Sequence, residues 1–394
     1  MTKISTLPRQ LPDPPEAEER AFYRSARRHF AAAGAIATLP PGPLDTFGAR
    51  TAAFFAEHKG PQLLLGALPF ERTQHDWLVQ PRLALDTARQ RVPPAAATPL
   101  GRWRVTADPP PHRYAAMVAA ALHRMADSAQ PPLDKIVLAR RLLVEADGPI
   151  DAGLLAARLA RDPGITTFAL PLPPSNGQPR TLVGATPELL LSKSGRALLS
   201  NPLAGSARRH ADPAADSAAA EALEKSDKNR REHAAVVEAI LDALAPHCAE
   251  LSTPDGTVVQ STASMWHLGT RIEGRLRNDE LSAADIVALI HPTPAVCGTP
   301  RPRAEALIRK LEPFERGFYA GAVGWVDGHG DGEWHIALRC GEIVGNRITL
   351  YAGAGIVPGS DPQAETEETS AKFVALLRAL GIDEQGRPVA GDAA

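Results

Sequence analysis

Cysteine is scarce in this 394-residue chain: Cys248, Cys297 and Cys340 stand far apart and form no Cys-x-x-Cys pair. That disfavours a zinc knuckle, a redox dithiol or a disulfide framework, and it suits a reducing compartment. No apolar run approaches the roughly 18 residues of a membrane span, and the opening MTKISTLPRQLPDPPEAEER has no apolar leader core. Neither sign of charge dominates, since 43 Lys and Arg face 45 Asp and Glu for a net charge of −2. Such a chain has no global electrostatic reason to bind nucleic acid or an anionic membrane. His-Glu-x-x-His is missing, and His329 and His335 are too sparse for a ligand pair. The expectation is a soluble cytoplasmic protein that engages neither nucleic acid nor membrane.

What is present supports a large core: 44% of residues are apolar and 22% charged. Proline is abundant, at 37 residues, and much of it lies in the first 180. Residues 1–15 read as a loose arm and Glu16–Gly34 as a helix with an acidic start, a basic end and a glycine stop. Residues 49–112 read as short strands and loops. Helices are expected at His112–Gln130, Asp151–Arg161, Ala214–Cys248 (one or two), Ser282–Ile290, Pro302–Leu311 and Thr366–Leu380. Strands are expected at Lys135–Val144, Thr166–Pro171, Thr181–Gly184, Glu188–Lys193, Ala320–Val326, Glu333–Cys340, Glu342–Val344 and Arg347–Ala352, with turns at Gly328–Gly332 and Gly345-Asn346. Strands in runs and helices in runs predict an α+β fold. No repeat or sharp composition shift cuts the chain. Residues 1–112 are read as a divergent N-terminal part, 113–385 as a catalytic region within one intertwined domain, and 386–394 as a tail.

Several charged residues stand where charge is costly. Glu232 lies four residues before Val236 and eight before Ile240, on the buried stripe of its helix. A carboxylate there is paired with a base, protonated or bound to a cation. Glu365, Glu368 and Lys372 share one face of the last helix. They are either first-turn acids with an ordinary i,i+4 pair or oxygen ligands for a hard cation beside a lysine. Gly353–Ser360 reads as a glycine-rich loop, either a structural turn or an approach for an anion. Lys135 begins a very apolar strand. Glu188 stands at the mouth of another, where desolvation would raise its pKa.

Together, and in order, these segments resemble the chorismate-utilising enzymes. KIVLAR, GATPELLL, NPLAGSARR, DKNRREHAAVV, the run from HPTPAVCGTP to FYAGAVGW, IALRCGEI and LYAGAGIVPGSDPQAETEETSAKF fall in that family's order. The resemblance covers Lys135 to Leu380. His291–Val296 and Gly324-Trp325 resemble the isochorismate synthases within the family, particularly those of siderophore pathways.

The resemblance implies two antiparallel sheets packed face to face with helices outside. It implies Mg²⁺ held by Glu232 and Glu368 with Glu365 nearby. It implies Lys135 as general base and Glu188 as general acid for a reversible move of a hydroxyl between chorismate and isochorismate. A lysine serves as base at neutral pH only when its surroundings favour the uncharged form. The remaining implied substrate contacts are Gly205, Ser206, His267, Ala295, Val296, Tyr319, Arg339, Gly353 and Lys372. Salicylate synthase and a non-catalytic chorismate-binding protein are the competing readings, and anthranilate or aminodeoxychorismate synthase fits less well. A monomer without an amidotransferase subunit is expected.

Overall fold

The computed structural model describes residues 20–82, 84–86, 101–126, 132–160 and 164–389. The expected arm at 1–15, residues 390–394 of the expected tail, and parts of the segments expected at 16–34, 49–112, 112–130 and 151–161 lie outside that set.

Two large sheets dominate. The ten-stranded one runs Gly298–Thr299, Lys135–Ala146, Arg347–Ile356, Cys340–Val344, Gln178–Thr186, Thr166–Ser175, Arg20–Arg24, His29–Ala33, Ala84–Asp86, with Trp103–Asp108 also on Lys135–Ala146. The nine-stranded one runs Cys248–Ser252, Ile272–Leu276, Ala197–Asn201, Leu189–Ser194, Gly332–Ile336, Ala322–Asp327, Leu63–Leu68, Trp77–Pro81, Ala35–Thr38. A third sheet joins Leu203–Arg208, Met265–Thr270 and Thr257–Ser261. Neighbouring strands run antiparallel, and the longest ladder pairs Arg347–Ile356 with 136–145.

Alternation explains how one sheet serves two cores. Phe168, Leu170 and Leu182 point into the main core shared with Leu65, Leu191 and Trp334 of the other sheet. Ala169, Val183 and Ala185 point the other way, into a second core. Successive side chains of a strand face opposite sides, so a one-residue slip would exchange the two sets. Tyr23 ties the sheets together: its hydroxyl donates to Glu333 Oε1 at 3.1 Å and lies 2.9 Å from His335 Nδ1.

Eight α-helices cover the sheets among the described residues: α1 (Phe47–Glu57), α2 (Pro111–Ala126), α3 (Ala152–Leu159), α4 (Pro213–Lys225), α5 (Asp227–Leu244), α6 (Ala283–Ile290), α7 (Arg301–Leu311) and α8 (Pro362–Leu380). The second core lies between the ten-stranded sheet and helices α3 and α8, where Phe373, Leu376, Leu377 and Leu380 are buried. Burial of each such side chain is worth about 1.5–3 kcal/mol. Asp361 starts α8 by accepting the Ala364 amide at 2.7 Å, Pro362 occupies its first turn, and Gly381 ends it in the left-handed region.

The expected helix over Glu16–Gly34 is instead the hairpin Arg20–Arg24 and His29–Ala33. Its charge polarity suggested a helix, but Tyr23 and Ala32 are buried within a sheet and tertiary packing decided the matter. Within 49–112 the expected strands occur, but α1 was not expected there. The glycine-rich segment is not a loop from Gly353: residues 353–356 continue a strand, and the turn is confined to 357–361. The strands between 197 and 208 and between 248 and 276, which build much of the site, had not been expected.

Candidate active site

Two neighbouring strands cross from one large sheet to the other at the same place. Gln178–Thr186 belongs to the ten-stranded sheet, and the chain turns through Pro187-Glu188 into Leu189–Ser194 of the nine-stranded one. Gly332–Ile336 leaves the nine-stranded sheet and turns through Ala337–Arg339 into Cys340–Val344 of the other. The corners are stitched together, since Ile336 N donates to Glu188 O at 3.1 Å and Ala185 N to Arg339 O at 3.1 Å. Arg339 has φ 45°, and Ala320, whose amide donates to Ala337 O at 2.9 Å, has φ 58°. Such left-handed backbone is uncommon without glycine and clusters at functional sites. An open cleft lies at this corner.

Glu188 lines the cleft and is buried. Burial pushes its carboxyl up to about 8, against a pull downward from Lys135, the Leu203 amide and Lys372. At neutral pH it is therefore mostly the uncharged acid, a proton donor aimed into a cleft rich in cations.

The three-stranded sheet supplies the next wall. Gly205, with φ 74°, and Ser206 come from its first strand and His267 from its second. Arg339 Nη2 lies 2.6 Å from His267 Nε2. A guanidinium can only donate, so Nε2 accepts and the imidazole proton is on Nδ1. Burial first, then Arg339 and Lys372, hold His267 well below its ordinary pKa. It is a neutral hydrogen-bonding group rather than a cation.

The third wall is apolar. Ala295, Val296 and Val137 line it, and Tyr319 stacks on Tyr351 with ring centroids 4.9 Å apart. Behind it, the buried Arg316 donates to Val296 O at 2.8 Å and Val137 O at 2.7 Å, while pairing with Glu312. Glu312 accepts the Ala139 amide at 2.8 Å. This network fixes the spacing of the segment 295–299 against the strand that begins at Lys135.

At the remaining end, three glutamates each meet a lysine. Glu232 Oε1 is 3.1 Å from Lys135 Nζ, close enough for an ion pair but not aligned as a hydrogen bond. Glu365 pairs with Lys228. Glu368 accepts from Lys372 at 2.7 Å and from Ser206 Oγ at 2.8 Å. Lys372 also donates to Gly353 O at 2.9 Å. Burial and the nearby Glu368 raise Glu365 despite Lys228. For Glu368 burial pushes upward too, but Lys372, Ser206 and Lys228 outweigh it and its pKa falls. Gly355 makes this end possible, because a Cβ there would lie 2.0 Å from Glu232 Oε1.

The donor set suits a hard cation of the Mg²⁺ kind: carboxylate oxygens only, no sulfur, and a glycine cradle beside one of them. Among the described residues, no three acidic, His or Cys side chains converge closely enough to hold a metal by themselves. The fit is therefore to a cation sharing one or two carboxylates with water or substrate oxygens, not one caged by protein alone.

Of the residues singled out in the sequence, Glu188, Glu232, Glu368, Gly205, Ser206, His267, Ala295, Val296, Tyr319, Arg339, Gly353 and Lys372 all line the one cleft. Lys135 and Glu365 stand one layer behind it, in contact with Glu232 and Lys228 respectively. Sequence reasoning passed over Lys228, Gly355 and Tyr351. Lys228 is one helical turn before Glu232, which was a usable signal. Tyr351, Gly353 and Gly355 alternate along one strand and all line the cleft, but reading residues 353–360 as a loop hid that period.

Residues 70–381 match the family described as chorismate-binding enzymes. This chain belongs to that family. Isochorismate synthase DhbC of Bacillus subtilis is 38% identical over 92% of this chain and 94% of its own. Isochorismate synthase EntC of Escherichia coli K12 is 36% identical over 93% and 96%. A Mycobacterium tuberculosis protein provisionally named isochorismate synthase MenF is 43% identical over 88% and 95%. Among solved structures, the menaquinone-specific isochorismate synthase MenF of Escherichia coli superposes with a TM-score of 0.77 at 26% identity, covering 92% of this chain and 88% of its own. The α+β sandwich with outer helices is thus the chorismate-binding fold. Among the described residues no helix is long and apolar enough to cross a membrane.

Proposed function

We propose that this chorismate-binding enzyme is an isochorismate synthase that depends on Mg²⁺. The observation that carries the reading is Glu188, a carboxyl lifted to about 8 and facing a cleft of cationic and backbone donors. Hydroxide is a poor leaving group, so exchange of one hydroxyl for another needs an acid already protonated at neutral pH. Glu188 gives its proton to the C4 hydroxyl as the C4–O bond breaks. Water forms the new C2–O bond, the ring double bonds shift, and Lys135, released from its ion pair with Glu232 and uncharged, takes the proton that water releases. One water enters and one leaves, and a proton returned from Lys135 to Glu188 restores both groups.

Arg339, Lys372 and the Gly205 and Gly353 backbone bind the substrate carboxylates. Ala295, Val296 and Tyr319 close around the ring. Glu232 and Glu368, with Glu365 behind, would hold Mg²⁺, which when bound supplies charge neutralisation for a substrate carboxylate. The enzyme works as a cytoplasmic monomer without an amidotransferase subunit.

We assign the product to siderophore supply. Support comes from the resemblance of His291–Val296 to siderophore-pathway enzymes and from the 37% identity to a vibriobactin-specific isochorismate synthase of Vibrio cholerae. A deletion strain should recover growth under iron limitation when a catechol or salicylate precursor is added; rescue by a menaquinone precursor alone would move the assignment. For the activity, purified protein is incubated with chorismate and Mg²⁺ and the products are separated by chromatography. A chorismate/isochorismate mixture is expected from either starting compound. Salicylate plus pyruvate would make it a salicylate synthase, and unchanged chorismate a binding protein.

A further inference from the structure

Lys228 is not needed for the chemistry just described, yet it sits among the carboxylates proposed to take the cation. It lies in the first turn of α5, four residues before Glu232. Its ammonium pairs with Glu365, whose side chain is only 2% exposed, while Lys228 keeps 32% of its own surface. The charges of Glu365, Glu232 and Glu368 all act on it. Lys135 and Lys372 are committed elsewhere in the same cluster, to Glu232 and to Glu368 with the Gly353 carbonyl. Lys228 is therefore the most solvent-accessible cation in that cluster, held by one carboxylate on a flexible four-carbon stem.

Three carboxylates brought together without a cation would repel each other in a partly desolvated place. Among the described residues, the lysines are what balances them. A divalent ion arriving there brings its own charge, and an ammonium retained beside it would be repelled.

We propose that Lys228 is the exchangeable counter-ion of this end of the cleft: it neutralises Glu365 while no metal is bound and swings out to solvent when a divalent cation enters. The inference rests on the metal reading above. Its consequence is counter-intuitive for a residue in a binding cluster, because removing it should improve binding. Structural damage would weaken binding instead, so the sign separates competition from a merely structural role.

The test measures Mg²⁺ and Mn²⁺ affinity by calorimetry on the full chain without substrate, together with thermal unfolding with and without Mg²⁺. Lys228→Met should bind the metal about tenfold more tightly than wild type. It should melt lower than wild type without metal and recover on adding it. Lys228→Arg, which keeps the charge, should stay within about threefold of wild type. On a Glu365→Gln background, Lys228→Met should change affinity little, since the partner is gone. Equal or weaker binding by Lys228→Met, with wild type still binding metal, overturns the counter-ion role and leaves the metal reading intact. Absence of metal binding in wild type and both Lys228 variants overturns the metal reading, and this proposal with it.

Discussion

Glu188 and Glu368 are the same side chain in the same cleft, and their surroundings drive them in opposite directions. Around Glu188 burial wins, and its carboxyl rises to about 8. Around Glu368 burial is outweighed by Lys372, the Ser206 hydroxyl and Lys228, and the pKa falls. One end of the cleft thus holds a proton at neutral pH, and the other holds negative charge balanced by ammonium groups. One residue type thus becomes a neutral proton donor or a charged carboxylate according to its burial and its neighbours.

The largest expected effect is at the charged end. Removing Mg²⁺ with excess EDTA, or replacing Glu232 or Glu368 by Ala, should abolish turnover while circular dichroism stays that of the folded chain. Full turnover in EDTA would mean that no divalent cation takes part in the reaction. At the neutral end, Glu188→Gln should lower the rate by about 10²–10⁴ in both directions while chorismate still binds; Lys135→Ala, at the charged end, should do the same. Near-wild-type rates in either direction for Lys135→Ala would mean that another group is the base.

A pH profile sharpens the contrast. The acid form of Glu188 disappears as pH rises through about 8, so activity should fall about tenfold per unit above that point. Glu188→Gln should lack that limb. A profile whose basic limb is unchanged by the substitution would detach it from Glu188.

The smallest expected effect is on stability. The folded pKa of Glu188 lies above its ordinary value of 4.5. The fold therefore prefers the protonated form, and the stability this contributes is full below pH 4.5 and is lost as pH rises to about 8, at up to about 1.4 kcal/mol per unit. The melting difference between Glu188→Gln and wild type should accordingly grow from pH 4.5 to pH 8 in favour of Gln and then level off. A difference independent of pH would show that the buried carboxyl does not titrate as described.

Much of this contrast was legible in the sequence because it lies in local patterns. Glu232 breaks a helical apolar stripe, Glu365, Glu368 and Lys372 share a helix face, and Glu188 stands at a strand mouth. What was not legible depends on chain crossings. Gly205, Ser206 and His267 reach the cleft only because Leu203–Arg208 pairs with Met265–Thr270, and no local period announces that pairing. Arg339 meets His267 because two strands change sheets side by side. The hairpin at Arg20–Ala33 was missed for the related reason that its partners, Thr167–Ala169, lie far away in the chain. Tyr351 lies within the expected strand, but its alternation with Gly353 and Gly355 was hidden, since glycines that permit close approach of Glu232 look like loop residues when read singly.

The central claim, that one carboxyl in this cleft is neutral at physiological pH, can be read directly by infrared difference spectroscopy of wild type against Glu188→Gln over a pH series. The account predicts a protonated-carboxyl band present at pH 6 to 7 that is replaced by a carboxylate band with a midpoint near 8. A carboxylate already formed at pH 6, titrating near the ordinary glutamate value of 4.5, would contradict it.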